Sequence, residues 1–150
     1  MPQSLAKIYI HLVFSTKNRE RGLDDAIRPD LHACMGGTLK GLDCIPLEIN
    51  TELDDAHLLF LLSRKECVSD VTGAVKKSAT DWLRTKDERY RQFYWQAGYA
   101  AFSISQSGVD DVRAYIQNQH LHHATRTFQD ELRSFLKKYE IEYDERYVWD

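Results

Sequence analysis

Thr51-Glu-Leu-Asp-Asp-Ala-His-Leu-Leu-Phe-Leu-Leu62 reads as a strand that ends at Ser63-Arg64-Lys65. Side chains alternate faces along a strand, so Asp55 and His57 point the same way, about 7 Å apart at their roots. A carboxylate and an imidazole beside an oily run are costly to bury without a partner. Two partners satisfy that requirement, a divalent metal or a salt bridge between the two residues, and the pair alone leaves both open. Beyond His57 the stretch is apolar on both faces, which predicts a central position in a sheet.

Working outward, residues 44–51 form a strand before it, and residues 27–42 carry a helical pattern before that. Leu31, Cys34, Met35, Thr38, Leu39 and Leu42 recur at spacings of three and four. Pro29 suits a first helical turn, and Gly36-Gly37 predicts close packing against a neighbour, since glycine weakens a helix by about 1 kcal/mol. Ala6 to Ser15 is a first strand, with Ile8, Ile10, Leu12 and Phe14 on one face and Tyr9, His11 and Val13 on the other. On the C-terminal side, residues 70–86 form a helix capped by Ser69 or Asp70, with Val71, Ala74, Val75, Ala79, Trp82 and Leu83 as its buried stripe. Residues 93–105 read as a strand. A third helix runs from Gly108 to about His123, opened by Ser105 or Ser107 and lined by Val109, Val112, Tyr115, Ile116 and Gln119. Thr127 caps a last amphipathic helix with Asp130 and Glu131 in its first turn and Phe128, Leu132, Phe135, Leu136 and Tyr139 buried. The tail from Ile141 to Asp150 packs back onto the rest. The order β-α-β-β-α-β plus C-terminal helices predicts an α+β, ferredoxin-like antiparallel sheet with helices on one face.

At 150 residues the chain reads as one domain, 1–150, with an ordinary 43% apolar and 29% charged content. A net charge of −3 excludes a grip on nucleic acid by overall charge but not a local basic groove. Cys34, Cys44 and Cys67 are odd in number and widely spaced, and read as buried thiols of a reducing compartment. No signal peptide and no membrane-length apolar run is found, so a cytoplasmic location is expected.

Asp55, His57, Tyr115 and Gln119 form the one constellation that joins distant parts of the chain. Tyr115 and Gln119 lie one helical turn apart and project together. Carboxylate, imidazole and amide oxygen suit Mg²⁺ or Mn²⁺, and a phenol held beside such an ion can attack phosphorus. On the residues alone core packing is the plainer account, since Tyr115 continues the Val112–Ile116 stripe and a glutamine one turn later is commonplace. Lys17, Arg19 and Arg21 in one turn, and the Lys76-Lys77-Ser78 cluster, could hold phosphates or lie on solvated faces. His11, His120, His122 and His123 are spare ligands or bases, or packed and solvated histidines.

Six stretches carry a resemblance: Ile10-His-Leu-Val-Phe-Ser-Thr-Lys17, Asp54-Asp-Ala-His-Leu-Leu59, Trp95-Gln-Ala-Gly-Tyr-Ala-Ala-Phe-Ser103, Val112-Arg-Ala-Tyr-Ile-Gln-Asn-Gln119, His122-His123 and Asp144-Glu-Arg-Tyr-Val-Trp-Asp150. In order and spacing the chain resembles the HUH-type single-tyrosine transposases of bacterial insertion sequences. The resemblance implies a small dimer that cuts and rejoins hairpin-bearing single-stranded DNA through a 5′-phosphotyrosine on Tyr115. It implies a metal on His57 and Gln119, with Asp55 where the family's first histidine stands, and an active site that two subunits can share. Asp55 is a hard donor suited to Mg²⁺ or Mn²⁺ but shorter than histidine. Two outcomes follow: an active enzyme with an altered site, or an impaired relic or regulator that still binds hairpin DNA.

Overall fold

A computed structural model describes residues 2–150, and Met1 lies outside them. Strands β1 (Ile8–Ser15), β2 (Ile45–Thr51), β3 (Asp55–Leu62) and β4 (Ala100–Ile104) form one antiparallel sheet in the order β2-β3-β1-β4. This is the predicted ferredoxin-like order, and β3 is internal, between β2 and β1. Helices α1 (Arg28–Gly41) and α2 (Val68–Lys86) cover one face, and α3 (Val109–Gln117), α4 (Gln119–His123) and α5 (Phe128–Lys138) follow β4.

The β1 alternation explains why both faces are covered. Ile10, Leu12 and Phe14 join Ala56, Leu58 and Phe60 of β3 in the core beneath α1 and α2. Every fourth residue of α2, from Val71 through Val75 and Ala79 to Leu83, is fully buried there. Tyr9 and Val13 face the opposite way and pack with Leu59, Ile104 and Ile116, or with Phe102, Phe128 and Leu132. The C-terminal helices therefore make a second layer on the other face, rather than one face being left open.

Five local expectations change. Residues 93–105 are not one strand: Trp95 makes a single bridge to Thr16, and only Ala100–Ile104 joins the ladder. The carbonyls of Gln96 and Gly98 instead accept from the Lys76 ammonium at 2.9 and 2.6 Å. The third helix breaks at Asn118 (ψ 21°), which separates α3 from α4. α2 begins at Val68 after Cys67, not at Ser69 or Asp70. Of the three cysteines, Cys67 is exposed and Cys34 partly so, with Cys44 alone buried. Close packing accounts poorly for the glycine pair, since a Cβ on Gly36 would meet Ile49 at an ordinary 3.7 Å and one on Gly37 would meet nothing. The tail does pack back: Val148 and Trp149 rest on the second layer, and the Asp150 carbonyl accepts from the Gly98 N–H at 2.8 Å. Among the described residues no helix is long and apolar enough to cross a membrane.

Candidate metal and nucleophile centre

Asp55 opens β3 and His57 follows two residues on, so both leave the sheet toward the C-terminal helices, and both are fully buried. Their main neighbour is Glu131 on α5. Glu131 Oε1 lies 2.9 Å from His57 Nε2, and Asp55 Oδ2 lies 3.6 Å from the same nitrogen. One ligand atom each from Asp55, His57 and Glu131 falls within 4.8 Å of the others. Gln119 Nε2 donates to both Glu131 oxygens, at 3.1 and 2.8 Å. Tyr115 also donates its O–H to Glu131, through Oε2.

Four side chains, Asp55, His57, Gln119 and Tyr115, thus gather around the Glu131 carboxylate. Gln119 and Tyr115 sit on different helices, and the shared Glu131, rather than a continuous helical turn, brings them together. Asp55 also accepts from His123 Nε2 at 2.7 Å, and Asp54, Asp55 and His123 form a second cluster that could hold a cation.

The charges follow from burial and pairing. For His57, burial pulls the pKa down, but hydrogen bonds and charge from Asp55 and Glu131 outweigh it and raise the group to about 10. Burial alone would raise both carboxyls. Bonds from His123 and His57 instead hold Asp55 near 2, and His57 with Tyr115 holds Glu131 near 2. His11 runs the other way: burial and the neighbouring His57 charge depress it to about 3, so it is neutral. His11 Nε2 is 3.0 Å from His57 Nδ1. The protonated His57 carries N–H on both ring nitrogens, so its Nδ1 donates and the neutral His11 accepts at Nε2. That contact fixes the ring and turns Nε2 toward the carboxylates.

These directions set a stability profile for the metal-free protein. The His57 contribution is complete below its unfolded value near 6.5 and is lost as pH rises through about 10. The Asp55 and Glu131 contributions are complete above their unfolded values, 3.8 and 4.5, and are lost as pH falls through about 2. Denaturant titrations in chelator are expected to give a plateau between these limits and a fall on both sides. A stability that still climbs from pH 7 to 9 would contradict a protonated His57.

The donor chemistry fits a hard divalent ion. Asp55 Oδ1 and Gln119 Oε1 are buried oxygens that no hydrogen bond satisfies, and an unmet buried acceptor costs about 1–3 kcal/mol. Together with the imidazole nitrogen and the Glu131 carboxylate, they make the mixed O/N set such ions take.

Tyr115 is half-buried, stacked on His122 with ring centroids 4.3 Å apart. Arg126 Nη2 donates to its oxygen at 2.9 Å. Burial and Glu131 push the phenol above its ordinary value, and Arg126 opposes them. The hydroxyl therefore keeps its proton at neutral pH unless a base takes it.

The basic residues are turned to separate neighbours. Lys17 lies over the Tyr94 ring and Arg19 donates to the Trp149 carbonyl at 3.3 Å. Lys76 is held by carbonyls, and burial lowers it to about 8. Lys77 pairs with Asp81 at 2.8 Å, and Ser78 meets Thr38 of α1 at 2.7 Å.

Sequence reasoning missed Glu131, Arg126 and the part played by His123. One signal was available for Glu131. It stands in the stripe Phe128, Leu132, Phe135, Leu136 at a position that spacing assigns to the buried face, where a carboxylate needs a partner.

Comparison with known proteins adds three findings. The family described as "Transposase IS200 like" matches residues 4–119. No curated protein matches the chain. Among solved structures, a transposase candidate from Deinococcus radiodurans R1 is similar at 20% identity, over 79% of this chain and 98% of that one, with a TM-score of 0.62. A REP-associated tyrosine transposase bound to a REP hairpin is similar at 15% identity, over 82% of this chain and 73% of that one, with a TM-score of 0.56. At such identities the two structures speak for a shared fold.

Proposed function

The chain belongs to the IS200-like transposase family, and from that premise we propose that it cuts and rejoins single-stranded DNA at insertion-sequence ends, with Tyr115 as nucleophile. One observation carries this reading: the Glu131 carboxylate is shared between the Tyr115 hydroxyl and the His57 imidazole. The phenol is thereby placed one carboxylate away from the donor set.

In the forward step the phenolic proton passes to Glu131 Oε2 as the Tyr115 oxygen attacks the scissile phosphorus. The bond from phosphorus to Tyr115 forms, and the bond to the 3′-oxygen breaks. That oxygen takes up a proton and departs as a 3′-hydroxyl, leaving a 5′-phosphotyrosine. Attack by a later 3′-hydroxyl runs the same exchange backwards, so no nucleotide cofactor is consumed. Arg126, already on the phenolic oxygen, is placed to donate to a non-bridging phosphate oxygen as charge develops. Asp55, His57, Gln119 and Glu131 would hold Mg²⁺ or Mn²⁺, which supplies Lewis-acid neutralisation of the phosphate when bound. His11 keeps the His57 ring in register for that ligation.

The partner in this reading is a hairpin-bearing single strand, supported by the hairpin in the structurally similar transposase. Lys17 and Arg19, grouped in one turn, are the basic contacts assigned to it. Lys76, Lys77 and Ser78 are weaker assignments, given the neighbours each already has. The protein acts as a homodimer, with Tyr115 able to serve its own subunit or the other.

A second reading has its own support. His57 as an imidazolium between two carboxylates is a closed ionic network that needs no metal. It favours a hairpin-binding relic or regulator.

One experiment separates the two: incubation with single-stranded oligonucleotides carrying candidate end hairpins, plus Mn²⁺ or Mg²⁺, read on a denaturing gel. A covalent protein–DNA adduct is the expected result. Hairpin binding that falls steeply with salt, with no adduct under any metal, would establish the relic. Asp55→His supplies a further arm, since a large gain in cleavage would assign impairment to that aspartate.

A further inference from the structure

Between α3 and α5 a cleft of about 260 Å³ opens directly onto the Tyr115 side chain. Its floor and walls are His11, Val112, Phe135 and Tyr139, and its rim carries Asp111 on one helix and Lys138 on the other. We propose that this cleft is a single-base subsite, taking the unstacked nucleobase next to the phosphate that Tyr115 attacks. The proposal rests on the strand-cleaving reading above.

Four features select a nucleobase. First, the wall is aromatic and already ordered. Phe135 meets the Tyr115 and His11 rings edge-on, at 5.6 and 5.4 Å, and Tyr139 stacks on Phe102 at 4.6 Å. Flat apolar surfaces of this kind receive a base through its π-face. Second, the His11 ring on the floor is held in place by its 3.0 Å contact with His57 Nδ1, so it offers a fixed surface. Third, the rim residues complement a nucleotide. The Lys138 ammonium suits the anionic backbone beside the base, and the Asp111 carboxylate suits an exocyclic amino group on the base edge. Both are exposed and free to adapt. Fourth, the cleft is continuous with the nucleophile. A phosphate that reaches the Tyr115 oxygen carries its own nucleotide within one residue of this opening. His122 covers a face of the same ring yet does not line the cleft.

The energetic logic is that of base extrusion. A hairpin end or single strand surrenders little stacking when one base turns outward, and an aromatic slot returns it. Capturing that base also aligns the neighbouring phosphorus, so the slot acts on the chemical step as well as on binding. Asp111, which accepts but does not donate, favours bases with an amino group at the edge it meets and disfavours thymine.

The test uses the full-length protein and the oligonucleotide whose cleaved phosphate the adduct assay has mapped. An abasic site is placed in turn on each side of that phosphate, and 2-aminopurine is placed at the same positions for fluorescence in chelator. On one side only, the abasic strand is expected to form adduct at least tenfold more slowly while hairpin binding is kept. 2-Aminopurine on that side is expected to be quenched on binding. Lys138→Ala should slow capture of the intact and the abasic strand by a similar factor, because both keep the anionic backbone beside the base. Asp111→Ala should alter the ratio of rates among the four bases, a readout that a merely structural residue would not move. Both substitutions are on the surface, so the fold is kept. Equal rates for abasic strands on both sides, or unquenched 2-aminopurine at both, would overturn the subsite while leaving strand cleavage standing. Absence of any adduct with any strand would overturn both.

Discussion

Tyr115→Phe is expected to remove covalent DNA capture completely while leaving a folded protein that still binds hairpins. The loss is total because phenylalanine has no atom that can bond to phosphorus, and no other hydroxyl is described on the Glu131 carboxylate. The stability cost is expected to be about 1.5–3 kcal/mol, the worth of one hydrogen bond to a charged acceptor. Glu131 Oε2 keeps its bond from Gln119 at 2.8 Å, and a phenylalanine ring retains the His122 and Phe135 packing. Denaturing gels and denaturant melts of the same preparation check both halves. An adduct that survives in Tyr115→Phe would move the nucleophile elsewhere, and a global unfolding would mean the phenol serves the core.

Glu131→Ala has the opposite profile, with its largest effect on the protein itself. Removing one partner of a buried ionic cluster costs about 3–5 kcal/mol because the rest are left charged and unpaired. Here the orphans are specific: the His57 Nε2–H, the Gln119 amide and the Tyr115 hydroxyl all donate to this carboxylate. Glu131→Gln keeps the shape and part of the hydrogen bonding, so its melting midpoint is expected between alanine and wild type. Both variants lose one of the two carboxylates of the ligand set. Stabilisation by Mn²⁺ in thermal melts is therefore expected to shrink, with divalent affinity falling at least about tenfold, or 1.4 kcal/mol. Full Mn²⁺ stabilisation in Glu131→Gln would remove Glu131 from the ligand set. It would leave Asp55, His57 and Gln119 as the seat.

Periodicity made most of the sheet and its helices readable, because burial imposes period two on strands and near four on helices. Asp55 and His57 share a face as expected, since strand alternation is local geometry. The failures sit where local rules end. The break at Asn118 has neither glycine nor proline to announce it. The carbonyls of residues 96–98 are taken by a lysine some twenty positions away rather than by a neighbouring strand. Cys67 looked like a buried thiol but is the exposed, extended residue just before α2. Above all, Glu131 reaches Asp55 and His57 from the far end of the chain, and no spacing rule links residues seventy-odd positions apart. The family pattern did not supply it either, because its match stops at residue 119.

Glu131's late position also gives the site an order of birth. A ribosome delivers β3 with Asp55 and His57 long before it delivers α5. Until α5 docks, the nascent sheet carries a carboxylate and an imidazole with no lid over them. The phenol of Tyr115, when it arrives, has nowhere to hand its proton. On the proposed mechanism, cutting competence would therefore switch on only after residue 131 has cleared the exit tunnel. A product aborted at the edge of the family's matched region would keep its four strands and Tyr115, yet would lack the carboxylate that the Tyr115 hydroxyl meets.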